Sequence, residues 1–251
     1  MELRDYLHAV TTAPSLEALW FGHCAQMTAF GFDRLIYGRT QFRTETSLGD
    51  PEDFLILTNH DSAYMRPFVE DRLYMQAPMV RWALENEGAC SWGHVSEMLR
   101  RGALTEGEMK VLEFNQKMAV TAGYTISFHS PNPRQKDAIA LTARAGLTQE
   151  EADEIWAEHG HDIRLMNDVV HLRIMALPYT HPRRSLTPRQ REALQWVGDG
   201  KTTQDIALLM GLTVATVEKH LRLAREALVV ETTAQAVLKA TLTNQMYRSE
   251  G

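Results

Sequence analysis

Lys219 and Arg222 stand three residues apart in Val214–Leu228, where apolar residues recur at Val214, Val217, Leu221, Ala224 and Leu228. That recurrence is the period of an α-helix with one buried stripe. It leaves Thr216, Lys219, Arg222 and Arg225 on the open face, with His220 beside them. A cationic helix face suits the major groove of duplex DNA, where Lys and Arg donate to guanine O6 and N7. Thr202, Thr203 and Thr213 stand at expected helix starts, where hydroxyls and free backbone N–H groups can hold phosphates and set register. A solvated charged face is the competing reading of the same residues.

Other reactive groups form no recognisable set. His159, His161 and His171 lie near Glu158 and Asp162 but supply no third ligand at a metal-site spacing, so no metal is expected. Asp50, Glu52 and Asp53 read as a solvated loop, not as paired catalytic carboxylates. There is no nucleophile elbow, Walker loop or dinucleotide fingerprint, and no catalytic residue is assigned. Cys24 and Cys90 read as buried thiols of a reducing compartment.

The elements that must position the cationic face are legible around it. Thr187-Pro188-x-Gln190 opens a helix, with a capping threonine, proline at the first helical position and a reciprocal glutamine. Gly198-Asp199-Gly200 stops it. A second helix opens at Thr202-Thr203, and Gly211-Leu212-Thr213 is the short turn into the third. Two helices joined by such a turn, the second basic, make a helix-turn-helix. A fourth helix, Ala234–Leu242, completes the bundle.

Upstream the pattern is mixed. Residues 2–30 read as helical, and residues 33–39 and 53–58 as strands. Residues 62–73, 79–87 and 105–121 read as helices, the last opened by a Thr105-x-x-Glu108 box. Residues 124–129 and 137–143 read as a hairpin, and Thr148–Ala176 as a long amphipathic helix. Strands grouped among helices without regular alternation indicate an antiparallel sheet. The fold class expected is α+β: an N-terminal α/β/α sandwich with an antiparallel sheet, then an all-α four-helix domain.

At 251 residues the chain suits one or two domains. Hydrophobic residues at 44% and charged residues at 23% exclude a disordered chain or a coiled-coil rod. No apolar run is long enough to span a membrane, and no secretory signal opens the chain, so a cytoplasmic protein is expected. Charge is unevenly spread. Residues 1–182 carry 16 Lys/Arg against 25 Asp/Glu, a net −9, whereas residues 183–251 carry 10 against 7, a net +3. Of the 20 aromatic residues, only Trp196 and Tyr247 lie in the second part. The first part can therefore build an aromatic core or pocket, from Tyr64, Phe68, Trp82 and Trp92 with Met65, Met75, Met79 and Met98. Two prolines, Pro178 and Pro182, mark a linker. The divisions expected are 1–177, a linker at 178–185, and 186–251.

Leu186-Thr187-Pro188-Arg189, Gly200-Lys201-Thr202, Ile206-Ala207, Thr216-Val217, His220-Leu221 and Gln235-Ala236-Val237 together resemble the C-terminal domain of LuxR-type regulators. That family usually has Glu where Gln190 stands, Lys where Ala227 stands and Arg where Thr233 stands. Asn59, Pro78, Trp92 and Gly123 are similar to the autoinducer-binding domain of the same family, a sandwich enclosing an acyl-homoserine lactone. The departures fall at polar positions. The family has Tyr at His60, Trp at Tyr64, Tyr at Phe68, and Asp, the acceptor for the ligand amide, at Ala77. The resemblance implies ligand contacts at His60, Tyr64, Phe68, Ala77, Trp92 and Thr142. It implies an acyl-homoserine lactone or other apolar small molecule as ligand, duplex DNA as partner, and a homodimer off the membrane. The function implied is ligand-responsive transcription regulation. The alternatives are a regulator with a filled, ligand-free sensor core, or a lactone-processing enzyme fused to a DNA-binding module.

Overall fold

The protein is described here by a computed structural model covering residues 1–45, 47–177 and 184–247. Residues 178–183 of the expected linker lie outside these described residues. Packing divides the chain into two units, Met1–Ile174 and Met175–Gly251.

The first unit opens with helices α1 (Leu3–Thr12) and α2 (Leu16–Ala29). The single helical stretch expected at 2–30 is interrupted at Ala13-Pro14, after which Ser15 caps α2 by accepting from the Ala18 N–H. Five strands follow in one antiparallel sheet, ordered β2-β1-β5-β4-β3. They are β1 (Phe32–Thr40), β2 (Leu55–Thr58), β3 (Gly88–Ser91), β4 (Gly123–Ser127) and β5 (Lys136–Ala143). Helices α3 (Ser62–Met65), α4 (Pro78–Glu85), α5 (Gly93–Arg100) and α6 (Glu106–Lys117) lie between strands, and α7 (Gln149–Ala176) follows the sheet.

Two departures from the sequence reading have local causes. The helix expected over 62–73 is broken: α3 widens into a π-turn at Arg66–Glu70, closed by the Asp71 N–H donating to the Arg66 carbonyl. Pro67 has no N–H to give and its ring crowds the preceding turn, so a regular α-helix cannot continue through it. Strand β3 and helix α5 were not expected; Gly88-Ala89-Cys90-Ser91 is too short and too small-sided to show alternation.

Alternation along the strands gives the two faces of the sheet different volumes. Ile36 and Gly38 of β1, Thr125 of β4, and Ala138, Ala140 and Thr142 of β5 share one face, with Gly38 opposite Ala138 and Ile36 opposite Ala140. Leu35, Tyr37, Tyr124, Ile126, Ile139 and Leu141 occupy the other face and are buried. There Tyr124 stacks on Trp156 of α7, ring centroids 4.0 Å apart, and Tyr37 lies against His171. The large-sided face is closed by packing, whereas the small-sided face is not.

The closed side carries polar groups that are paired. The Nδ1 of His23 accepts from the Tyr6 hydroxyl at 2.6 Å, and its Nε2–H donates to Asn167 Oδ1 at 3.1 Å. Asn167 in turn donates to the Ile163 carbonyl at 2.8 Å, which fixes its amide orientation and hence the histidine tautomer. Nearby, Asp137 accepts from Gln135 at 2.6 Å and from the Tyr37 hydroxyl at 3.3 Å, and pairs with Arg39 at 3.3 Å. Burial pushes the Asp137 carboxyl up from its ordinary value while these three partners favour its ionised form.

The second unit is a bundle of α8 (Pro188–Gly198), α9 (Thr203–Met210), α10 (Val214–Leu228) and α11 (Thr233–Leu242). Reciprocal capping boxes at Thr187/Gln190, Thr202/Asp205 and Thr232/Gln235 start three of these helices, and Thr213 caps the fourth. Gly211 ends α9 at φ 64°, the left-handed conformation that glycine adopts without strain. Leu194, Ile206, Val217, Leu221, Leu228 and Ala236 form the core. Val214, expected on the buried stripe, is 39% exposed because it sits in the first turn, ahead of the packed part of the helix.

Gly123 has φ 155°, and a Cβ there would lie 2.2 Å from the Leu141 carbonyl oxygen. Gly123→Ala should therefore lower stability by about 2–4 kcal/mol, through strand displacement. Gly22→Ala, inside α2 with open space around the new methyl, should be neutral or stabilising. Melting curves of the two variants check the contrast. A second expectation concerns pH. Burial holds His23, His60 and His171 down to about 4, below the ordinary 6.5. The unfolded chain then binds more protons between those values, so stability is full above about pH 6.5 and is lost as pH falls towards 4. Urea unfolding midpoints should decline between about pH 7 and pH 5, and a flat profile would contradict the buried, neutral assignment.

Candidate functional site

The small-sided face of the sheet and helices α3 to α6 border a cavity of about 420 Å³ that opens in part to the surface. Its walls are mostly aliphatic and aromatic, including Ile36, Ile56, Phe68, Val80, Val111 and Leu112. A filled sensor core, one of the alternatives from the sequence, is thus not what this side of the sheet holds.

Each side chain in the wall is set by a local feature. Asp61 caps α3 by accepting from the Tyr64 N–H at 2.9 Å, and the short helix delivers Tyr64 to the cavity. The Tyr64 ring stacks with Phe68 at 5.2 Å and Phe114 at 5.3 Å. Its hydroxyl donates to Asn115 Oδ1 of α6 at 3.0 Å. Burial pushes the Tyr64 phenol well above its ordinary value, so it stays a neutral donor. Trp92, just before α5, lines the cavity, and its indole N–H donates to Thr125 Oγ1 at 2.9 Å. Ala77 precedes α4, with Pro78 at the first helical position. Asn59 clasps the end of β2 to β1, accepting from the Leu35 N–H at 2.6 Å and donating to the Asp33 carbonyl at 2.8 Å.

Of the six ligand contacts expected, Tyr64, Phe68, Ala77, Trp92 and Thr142 line the cavity. His60 does not. Its ring packs behind Tyr64 at 4.5 Å, neutral because burial and the nearby Arg34 hold its pKa down to about 4. The reason is that Tyr64, one turn on, takes the cavity-facing position. Among the methionines, Met79 lines the cavity and Met75 is exposed. The sequence reading missed Asn115 and Thr125. Asn115 was detectable as a polar residue on the stripe that carries Val111 and Leu112. Thr125 is the tenant of the small-sided face of β4.

The open face of α10 in the second unit presents Lys219 and Arg222, both exposed, with Thr216 and His220 half-buried beside them. Arg222 pairs with Glu226 at 2.5 Å, one turn along the same exposed surface. Arg225, expected on the open face, donates to Thr233 at 3.0 Å and ties α10 to α11. It turns inward because the position lies between the buried Ala224 and Leu228 rows. The hydroxyls of Thr202 and Thr213 accept from the backbone as caps, so they are committed within the fold. Thr203 is half-buried at the start of α9. Among the described residues no group of three His, Cys, Asp or Glu side chains could hold a metal ion. None of their helices is long and apolar enough to cross a membrane.

Comparison with known proteins places this geometry. The autoinducer binding domain family matches residues 15–174, and the sigma-70 region 4 family matches residues 184–228. The transcriptional activator protein AnoR of Acinetobacter nosocomialis is 24% identical over 246 residues, covering 95% of this chain and 96% of AnoR. The fold is that of CepR2 from Burkholderia cenocepacia, described as an N-acylhomoserine lactone dependent LuxR family factor. That likeness has a TM-score of 0.55 at 17% identity, over 69% of this chain and 94% of CepR2. It is also that of Escherichia coli SdiA in complex with octanoyl-rac-glycerol, with a TM-score of 0.52 at 15% identity, over 99% and 96% of the two chains. With a cavity-bearing sandwich matched along most of its length and a helix-turn-helix after it, the chain belongs to the LuxR-type family of autoinducer-binding transcription regulators.

Proposed function

We propose that the cavity binds an acyl compound and that its occupancy sets how the protein engages duplex DNA through α10. The observation that carries this reading is the apolar void of about 420 Å³ beside a sheet face of alanines and glycine. A void in a close-packed interior forfeits contacts that an apolar guest restores. Each methylene buried contributes ~0.8 kcal/mol, so an eight-carbon chain supplies several kcal/mol of preference for the ordered sensor. An effector shifts the protein between states only by such differential affinity. The acyl compounds named for CepR2 and SdiA support this class of ligand.

On this reading Tyr64, Phe68, Trp92 and Thr142 contact ligand, Ala77 leaves room beside it, and His60 backs the Tyr64 ring. Lys219 and Arg222 enter the major groove, His220 and Thr216 flank them, and Thr203 meets phosphate. The assignment divides the chain at the 178–185 linker. Two copies are expected on a two-fold operator. Leu172 of α7, 63% exposed, and Leu238 of α11, 57% exposed, are among the exposed apolar residues that could serve for pairing. A protein of this kind works on DNA in the cytoplasm and catalyses nothing.

Ala140→Leu fills the small-sided face from β5 without touching the closed side. It should abolish the rise in melting temperature given by octanoyl-homoserine lactone or octanoylglycerol while leaving the ligand-free fold intact. A variant that still responds to both ligands as wild type does places the guest elsewhere. At the DNA, Arg222→Ala should cost ~1–3 kcal/mol and relax preference at one or two base pairs. The exposed pair with Glu226 opposes this little, since surface ion pairs contribute ~0–1 kcal/mol. Thr203→Ala should weaken all sequences alike. Gel-shift titrations against operator and scrambled duplexes separate the two patterns.

A further inference from the structure

The polar groups around the cavity are unbalanced in a way that bears on what it can hold. Among the described residues that line it there is no aspartate or glutamate. Glu70 and Asp71, close in sequence, lie outside the wall. The Tyr64 hydroxyl is spent on Asn115 Oδ1 at 3.0 Å, and the same bond occupies the amide oxygen of Asn115. This leaves the Asn115 Nδ2 hydrogens without a partner among the described residues. The Trp92 indole N–H is spent on Thr125 Oγ1 at 2.9 Å, leaving the Thr125 hydroxyl hydrogen to donate. Thr142, diagonal to Thr125 across β4 and β5, is 1% exposed and its hydroxyl is unbonded among the described residues. Lys136, at one end of the wall, donates to the Asn86 carbonyl at 3.0 Å.

What faces the void therefore has free donors at Asn115 Nδ2, Thr125 and Thr142 but no carboxylate, its acceptors being only the neutral oxygens of hydroxyls and of the Gln116 amide. A buried N–H with no acceptor forfeits its hydration without return, whereas a carbonyl oxygen meeting a free donor gains a bond. We propose that the cavity selects acyl compounds whose buried head offers only oxygen acceptors, esters or ketones rather than amides, and that Asn115 is the residue that sets this preference. The inference rests on the reading of the cavity as an acyl-effector site. With the Tyr64 hydroxyl on its oxygen, Asn115 presents its nitrogen to the guest.

The test uses two probes that differ in one group: N-octanoyl homoserine lactone, and the ester in which oxygen replaces its amide N–H, α-octanoyloxy-γ-butyrolactone. Both are titrated into the full chain by calorimetry, with melting temperature followed in parallel. The ester should bind wild type about tenfold more tightly, the scale of one unsatisfied buried donor. Asn115→Asp keeps an acceptor for Tyr64 and replaces the free N–H groups by an acceptor, so the ratio should swing at least tenfold towards the amide. Should that variant not fold, Asn115→Leu removes the donors without adding charge, and the ester preference should then fall to parity. Equal or tighter binding of the amide by wild type overturns the inference and leaves the acyl-effector reading standing. A ratio unmoved in a folded Asn115 variant overturns the assignment to Asn115. Binding of neither probe by folded wild type overturns the acyl-effector reading and this inference together.

Discussion

A sheet covered on both sides must reconcile two faces that alternate along the same strands. In this protein the reconciliation is made by volume. On β5, Ile139 and Leu141 face α7, while Ala138, Ala140 and Thr142 face α3 to α6. One face interdigitates at the density expected of a protein interior, and the opposite face is left short of atoms. The features of the sensor unit follow from this asymmetry. The cavity exists because small residues stand across from one another, as Gly38 does from Ala138. Helices α3 to α6 border that void and leave it unfilled.

The polar residues are divided in a complementary way. On the closed side, buried groups are paired with one another: His23 with Tyr6 and Asn167, and Asp137 with Arg39, Tyr37 and Gln135. Such networks add little net stability, yet breaking one is costly, so they favour a single seating of α2 and α7 on the sheet. On the cavity side the pairs are incomplete, and each leaves a donor over. The first arrangement suits a scaffold and the second suits recognition.

The helix-turn-helix was the most legible part of the chain, because its boundaries are written in side chains that act locally. Thr187, Thr202 and Thr213 announce helix starts, and Gly211 announces a stop. The sensor was legible where the same local rules operate, as at Thr105 and the Thr148–Glu151 box, although the cap at Ser15 that splits 2–30 was passed over. It was less so where tertiary packing decides. Nothing local to Gly88–Ser91 marks it as an edge strand, and the proline that breaks 62–73 also lies in a helix-forming sequence. His60 and Arg225 were misplaced for one reason: helical spacing narrows a side chain to a sector, and a neighbour, Tyr64 or Thr233, decides which way it turns. Asn115 carried a usable signal as a lone amide on an apolar stripe.

The pairing of Gly38 with Ala138 has a consequence for how securely the binding site is encoded. Because successive residues point to opposite sides, sliding β5 by one residue against β1 would send Ile139 and Leu141 into the void and bring the alanines against α7. The cavity would be plugged and the packed side hollowed in the same movement. A mispaired chain of this kind could bury almost as much surface as the native one and yet have no room for a guest. The alignment of a single strand pair therefore separates a responsive sensor from an inert one. The site is specified less by any residue that touches ligand than by the hydrogen-bond register between two strands.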